Sequence, residues 1–503
     1  PADQAGLEAL AQRLPVALDE SLLVAPDLRH SWSGWQVRRP SQEGDPRPLL
    51  AALAAGRPRL MLSTSFETGI ARRWLHHLAA LQAQGPTGGG GMSLDTLEQA
   101  WAAGQIVPLL GSSDDASLAA AWGEADPVAV LQVLARNHGP GVLVGSGGSS
   151  GARRWCLQPL DHLQASAQAS ARWLGQLGLE PAACLLLNPL PPHHVSGLMP
   201  WLRARQWGAR HWRLDAALMR DGAALAAALP AAQLSQQGPV VLSLVPTQLR
   251  RLLAEPAAVA WLQQMALIWL GGAPLPPELA ARARALGLPL APCYGSTETA
   301  AMVTAQSPQR FLAGESGCGQ PLDDVSLRID AGLGALEIAT ARLAPGWLEG
   351  GVLQPLPRTA DGWWRSGDAA RLSPDGLQIV GRLDGAIHSG GETVFPEQVE
   401  QHLRALIAAT GLPSVELLLL AQDDADWGQR LVALFRPAEL DQSPALAWPQ
   451  QLEALARQLP PAQRPRAWLL CPALAPTATG KWQRDRWQSW LQRAKSGAIT
   501  GQA

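Results

Sequence analysis

The sequence predicts a layered α/β protein, with a large N-terminal domain of α/β and β-rich subdomains and a small α+β C-terminal domain. Three observations lead there. The chain has 503 residues, too many for one typical hydrophobic core. From about residue 140, short apolar runs alternate with helical stretches: "ACLLLN" (183–188), "VVLSLV" (240–245) and "ALIWLGG" (266–272). Strand-sized runs separated by helices imply a largely parallel sheet covered on both faces. Beyond residue 310 the pattern becomes β-rich, with "DVSLRI", "GALEIA" and "GLQIVGR". After "GRLDGAI" (381–387) a compact remainder of roughly domain size follows. The expected division is 1–382 for the large domain, 383–385 for the joint and 386–503 for the C-terminal domain.

Residues 1–125 alternate Leu/Ala-rich helical patterns with loops, and "PTGGGG" (86–91) reads as a flexible joint. "GVLVG" reads as a strand, "GSGGSSGA" as a loop and "RRWCLQ" as a second strand. "DHLQASAQASARWLGQLG" reads as a helix with Asp161 as its N-cap. In the C-terminal domain the pattern gives a helix over 396–409, strands near 415–421 and 431–436, and a helix over 448–458. No internal repeat is visible.

Net charge is −2 and mean hydropathy is near zero, which argues against a nucleic-acid-binding stripe or a polybasic membrane patch. The apolar runs fall far short of a bilayer span, and "PADQAGLEALAQRL" lacks the order of a signal peptide. The five cysteines are scattered without a CxxC pair, so a disulfide framework or zinc site is not expected. A soluble, cytoplasmic protein is the expectation.

Four stretches carry chemistry. Small residues in the loop from Ser146 through Gly147, Gly148, Ser149 and Ser150 to Gly151 expose backbone N–H groups that can wrap phosphate oxygens. Arg153 and Arg154 follow with charge, but the Gly-Lys-Ser/Thr ending of a Walker loop is missing. The bland alternative is a hairpin turn. The same residues fit G-x-S-x-G, a hydrolase nucleophile elbow with Ser149 as nucleophile, although an elbow leads into a helix and here a strand-like run follows. In "CYGSTETA" (293–300), Tyr294 is the only tyrosine beside twenty-one Trp. Thr297 and Glu298 offer a hydroxyl and a hard carboxylate suited to Mg²⁺ and phosphate; as a bland alternative they open a helix.

The string 363–400 places Asp368 in a turn before a strand, where a carboxylate can take both hydroxyls of a ribose, and Arg382 after a strand. Its "SGGETVFP" is a Gly-rich turn before a helix; surface hairpins are the bland alternative. Last comes "PTATGKW". Only two lysines, Lys481 and Lys495, stand among forty Lys plus Arg. Retention of Lys at 481, on a flexible turn, points to a compact point charge that guanidinium cannot replace.

In this order the four stretches resemble the acyl-adenylate-forming superfamily, which includes acyl-CoA ligases, firefly luciferase and peptide-synthetase adenylation domains. The resemblance covers about residues 140–485. "NPLPPHHVSGL", "SLVPTQLRRLL" and "GGAPLPPEL" are similar to the 2-succinylbenzoate–CoA ligase family of menaquinone and phylloquinone synthesis, and the short length and "GKWQRDRWQSWL" ending resemble its cyanobacterial members. The resemblance implies a two-step reaction. A carboxylic acid and ATP give acyl-AMP and pyrophosphate, and CoA thiol then displaces AMP. The small domain is implied to be mobile, rotating between steps about Asp384.

By the same resemblance Ser146, Ser149, Ser150, Gly151 and Arg154 cradle the β- and γ-phosphates, Thr297 binds phosphate and Glu298 binds Mg²⁺. Gly272, Ala273 and Tyr294 line the adenine slot, and Asp368 and Arg382 hold the ribose. His194 gates the acid and CoA channels, Gly390 and Gly391 face pantetheine, and Lys481 bridges the acid and the α-phosphate. The implied partners are an aromatic carboxylic acid, ATP and CoA, with no nucleic acid or membrane span and with room for a homo-oligomer.

The chain departs from the family pattern in several places. Ser146, Gly147 and Gly148 replace the usual Thr-Ser-Gly, Arg154 a Lys, Gly385 a second acid and His388 a common basic residue. Arg203 or Arg205 are candidates for the substrate's second carboxylate. The rival readings are another aryl- or fatty-acyl-CoA ligase, a carrier-loading adenylation enzyme, the Ser149 hydrolase and a degenerate adenylate-binding protein.

Overall fold

The computed structural model describes residues 94–111, 115–146, 153–230, 233–234, 236–332, 334–437, 448–477 and 482–495, together with strands at 30–32, 35–38 and 59–61. The central sheet has seven strands in the spatial order Gln320–Pro321, Ala301–Ala305, Leu290–Ser296, Leu267–Leu270, Val240–Leu244, Leu185–Asn188 and Arg210–Arg213. From Leu290–Ser296 to Arg210–Arg213 the five strands run parallel; the other two are antiparallel additions.

The apolar runs in these strands follow from burial on both faces. Leu186, Val241, Leu267, Trp269 and Ala291 enter one apolar cluster, while Leu185, Leu187, Leu242, Ile268 and Leu270 enter another. Successive side chains alternate between the faces of a strand, so a run without polar breaks is what a sheet between two cores requires. Helices Pro246–Leu253, Pro256–Leu262 and Pro277–Ala285 return the chain between strands. Each begins on Pro, which suits a first helical turn because its missing N–H has no intrahelical partner there.

A second sheet orders Val352–Pro355, Gly346–Glu349, Arg154–Pro159, Gly141–Ser146 and Ile106–Leu109. A third, wholly antiparallel, orders Ser326–Ile329, Ala335–Ala339, Trp364–Ser373 and Gly376–Arg382. The chain after 385 builds its own sheet from Glu392–Val394, Ile387–Ser389, Gly428–Pro437 and Val415–Asp424, with Ala467–Leu470 pairing on Gly428–Pro437. Among the described residues, no buried apolar cluster mixes side chains from before 383 with side chains from after 386.

Several local expectations need correction. Asp161 is not an N-cap: helix Leu160–Gln176 starts one residue earlier, Pro159 occupies the cap, and the Asp161 carboxylate accepts from the neighbouring His162 N–H. Asp368 is not in a turn but inside the strand Trp364–Ser373, where antiparallel pairing sets it opposite Arg382. The two C-terminal strands are longer than their apolar cores, because the hairpin continues through polar residues to Asp424 and Gly428. The stretch before 125 includes the strand Ile106–Leu109, whose parallel pairing to Gly141–Ser146 supplies the burial that its helix-rich neighbourhood hides. The expected joint at 86–91 lies outside the described residues.

Candidate active site

The C-terminal ends of the parallel strands converge on one edge of the central sheet, where open α/β sheets leave room for ligands. Leu185–Asn188 runs toward His194, Leu267–Leu270 toward Gly272 and Ala273, and Leu290–Ser296 carries Tyr294 and then Thr297 and Glu298. The sequence scatters these residues over more than a hundred positions; parallel crossovers gather them.

At Tyr294 the groups are bonded to one another. Tyr294 Oη donates to Asp368 Oδ2 at 2.5 Å, and Arg382 Nη1 lies 3.3 Å from Asp368 Oδ1. Arg382 also donates to both Asp384 oxygens, at 3.2 and 3.1 Å. Gly367, at φ +82°, lets the guanidinium lie against the backbone; a Cβ there would stand 3.1 Å from Arg382 Nη2.

Burial raises the Asp368 pKa, while the Tyr294 hydrogen bond and the Arg382 charge oppose the rise. Burial and the Asp368 carboxylate push the Tyr294 phenol well above its ordinary value, so it stays a donor at neutral pH. Burial works against the Arg382 charge, but Asp384 and Asp368 outweigh it and raise its pKa. The result is a carboxylate whose two oxygens are held from different strands, Oδ2 by Tyr294 and Oδ1 by Arg382.

Three residues along, Thr297–Thr299 forms a short 3₁₀ turn. The fully buried Gln158 donates to the Thr297 carbonyl at 2.5 Å, and Trp347 Nε1 donates to Glu298 Oε1 at 3.0 Å. No described residue bonds Glu298 Oε2. A hard carboxylate oxygen beside a Thr hydroxyl fits Mg²⁺, which binds through one or two carboxylates with water and substrate phosphates completing its shell.

The turn is strained: Ala300 and Ala301 stand at φ +51° and +78°, a region that side chains with Cβ avoid. Arg342, fully buried, holds it in place by donating to the Thr299 carbonyl at 2.5 Å and the Met302 carbonyl at 2.9 Å, with Asp324 balancing its charge at 2.6 Å.

Ser146 ends its strand with Oγ donating to the Arg154 carbonyl at 3.2 Å. Arg154 lies over the Trp347 ring, 4.9 Å from its centroid, so one indole touches both Arg154 and Glu298. Neither Trp347 nor Arg342 stands out in the sequence. "PGWLEG" becomes part of the site only because Trp347 pairs with Cys156, diagonal to Arg154.

The two arginines considered for the acid separate clearly. Arg205 makes an exposed ion pair with Glu98 at 2.6 Å. Arg203 is buried, packed at 4.5 Å over the Trp269 ring, and makes no ion pair with any described carboxylate. Burial lowers its pKa to about 10, which leaves it charged at neutral pH. His194 caps helix Val195–Trp207, whose Val195 and Leu198 pack with Ala300 and Ala301 beside the strained turn.

Gly390 and Gly391, at φ +58° and +86°, form the two-residue turn of the hairpin Ile387–Ser389 and Glu392–Val394. Two successive positive φ values are what the twist of such a hairpin demands. Ser149, Ser150, Gly151 and Lys481 lie outside the described residues. The strands flanking Ser149 form an antiparallel hairpin, not the strand–helix elbow that a nucleophile at Ser149 needs.

Residues 148–337 match the model of the AMP-binding enzyme family. The 2-succinylbenzoate–CoA ligase of Enterococcus faecalis is 28% identical over 355 residues, 68% of each chain. The probable 2-succinylbenzoate–CoA ligase of Mycobacterium tuberculosis is 31% identical over 334 residues, 65% of this chain and 78% of that one. Among solved structures, a variant of E. coli MenE with bound OSB-AMS is 29% identical at a TM-score of 0.53, covering 71% of this chain and 69% of that one. The o-succinylbenzoate CoA synthetase of Bacillus subtilis, in complex with OSB-AMP, shares the fold at 22% identity and a TM-score of 0.56, covering 69% of this chain and 68% of that one. The chain belongs to the AMP-binding enzyme family, among relatives named 2-succinylbenzoate–CoA ligases, and is an AMP-forming acid–CoA ligase.

Proposed function

We propose that this enzyme activates 2-succinylbenzoate with ATP and transfers the acyl group to CoA, as a step of menaquinone or phylloquinone biosynthesis in the cytoplasm. One observation carries the reading. A single strand and its following turn present Tyr294, Thr297 and Glu298 in line, with Asp368 and Arg382 bonded at one end and Trp347 and Arg154 at the other. That spacing suits a nucleotide laid along the sheet edge, sugar at the first end and phosphates at the second. Gly272 and Ala273 flank the base, Ser146, Ser149, Ser150, Gly151 and Arg154 wrap the terminal phosphates, and Thr297 orients one of their oxygens.

The chemical problem is to join two anions. The substrate carboxylate attacks the α-phosphorus, a new P–O bond forms, and the bond to pyrophosphate breaks. Lys481 bridges the acid and an α-phosphate oxygen and offsets their repulsion. Glu298 would hold Mg²⁺, whose charge would offset that of the departing pyrophosphate. The thiol sulfur of CoA then attacks the acyl carbon, and AMP leaves. That step needs no bridge between anions. Residues 386–503 act as a lid turning at Asp384, which withdraws Lys481 and brings Gly390 and Gly391 to the pantetheine arm. His194 stands between the acid and thiol channels.

Arg203 receives the second carboxylate of the substrate. Its burial, its stacking on Trp269 and the lack of an ion-pair partner among described carboxylates support this choice over Arg205. The test is release of AMP and pyrophosphate on incubation with ATP, Mg²⁺, CoA and 2-succinylbenzoate, against a panel of benzoates and fatty acids. Turnover of the panel without turnover of 2-succinylbenzoate would overturn the substrate assignment.

A further inference from the structure

We infer that Trp347 is a positioning residue that keeps the Glu298 carboxylate and the Arg154 guanidinium apart, so that the carboxylate stays open for Mg²⁺. This rests on the ATP-activating reading above and deepens it. Glu298 and Arg154 have opposite charges and sit at the same end of the site. Left alone, such groups close into a direct ion pair, and both would then be lost to the metal and the phosphates. Instead the described residues include no ion pair between them, and one buried indole touches both. Its Nε1–H donates to Glu298 Oε1 at 3.0 Å, and its ring carries Arg154 at 4.9 Å from the centroid.

Both contacts serve the proposed metal and phosphate site. The N–H satisfies one carboxylate oxygen and leaves Oε2 without a described partner. The ring face attracts the guanidinium through its quadrupole without neutralising it. The backbone fixes the arrangement: Trp347 pairs with Cys156 in the second sheet, and the Glu298 carbonyl accepts from Ala344 N at 2.8 Å, three residues before the indole. Phe in place of Trp would keep a ring but lose the donor, and tyrosine would carry its donor on a differently placed atom.

The test is calorimetric binding of ATP with and without Mg²⁺, on wild type and Trp347→Phe, with thermal melts as a fold control. Loss of a hydrogen bond to a charged group should weaken Mg·ATP about tenfold. Metal-free ATP should be little affected, and thioester formation from supplied acyl-AMP should persist. Trp347→Tyr should recover part of the Mg²⁺ effect. Equal weakening with and without Mg²⁺, or none, overturns the inference.

If the Phe variant does not fold, Arg154→Gln asks the same question. It should weaken ATP equally with and without the metal, whereas tighter Mg·ATP binding would show that the two charges pair directly. A wild-type enzyme that binds Mg·ATP but turns over no acid would count against the proposed reaction and leave the role of Trp347 measurable.

Discussion

The large and C-terminal portions hold their candidate residues in opposite ways. In the large portion Tyr294, Asp368 and Arg382 lie within strands, Glu298 lies in the turn that follows one, and each is bonded to a neighbour. In the C-terminal portion Gly390 and Gly391 sit at the tip of a hairpin, and Lys481 lies outside the described residues. The large portion fixes its groups by side-chain bonds across elements. The C-terminal portion offers backbone turns on a body with its own apolar core. The contrast matches the proposed chemistry, in which the nucleotide is held throughout while Lys481 and then the Gly390–Gly391 turn visit it in succession.

Four experiments would break or sharpen this contrast. The largest effect belongs to Lys481→Ala, which should lower acyl-AMP formation by about 10²–10³-fold while sparing conversion of supplied acyl-AMP. Pyrophosphate exchange and thioester formation measure the two halves separately, and equal loss in both would contradict the moving-lid account.

Next is Arg342→Met, which strands the buried Thr299 and Met302 carbonyls and releases the turn at Ala300 and Ala301. It should cost about 2–3 kcal/mol of stability, seen by denaturant unfolding, together with Mg·ATP affinity. A stable variant with normal affinity would show that the turn holds itself.

Asp368→Asn should weaken ATP binding about tenfold, measured by calorimetry, since hydrogen bonds from the ribose to a charged acceptor are lost. The wild type adds a pH test. Burial raises the Asp368 pKa, so its protonation, and the fall of ATP affinity as pH drops, should begin at higher pH than for an ordinary carboxylate. The sign for folding is opposite: with the folded pKa above the unfolded one, the folded state takes up the proton first, and stability declines as pH rises through the folded pKa. An acid limb at the ordinary carboxylate position would argue against Asp368 as the ribose acceptor.

The smallest effect concerns the seam between the portions. Arg250, on helix Pro246–Leu253, pairs with Glu416 at 2.8 Å, and both are partly exposed. Arg250→Ala should cost less than about 1 kcal/mol, with the effect fading in salt. Its signature should be a changed balance between half-reactions, not a change in melting temperature.

The stretches that meet at Tyr294, Asp368 and Arg382 were legible one by one. The single tyrosine and the retained lysine flagged their own stretches, and apolar runs located the parallel strands. The misreadings share one cause. Asp368 reads as a turn residue, yet the bulged pairing with Gly376–Arg382 carries the strand through. Arg205 and Arg203 are two residues apart on one helix and cannot be ranked from sequence; a rotation of about 200° separates a surface ion pair from a buried cation.

By itself the sequence determined what is local: short apolar strands, Pro-started helices, a Gly-Gly hairpin and the order of four chemical motifs. These follow from side-chain periodicity and backbone sterics, which act over a few residues. The tertiary structure decided which distant residues meet. Trp347 against both Arg154 and Glu298, Arg342 beneath a strained turn, and Tyr294 on Asp368 are all products of strand pairing and sheet packing. Burial raises the pKa values of Asp368 and Tyr294, and burial is a property of the assembled layers.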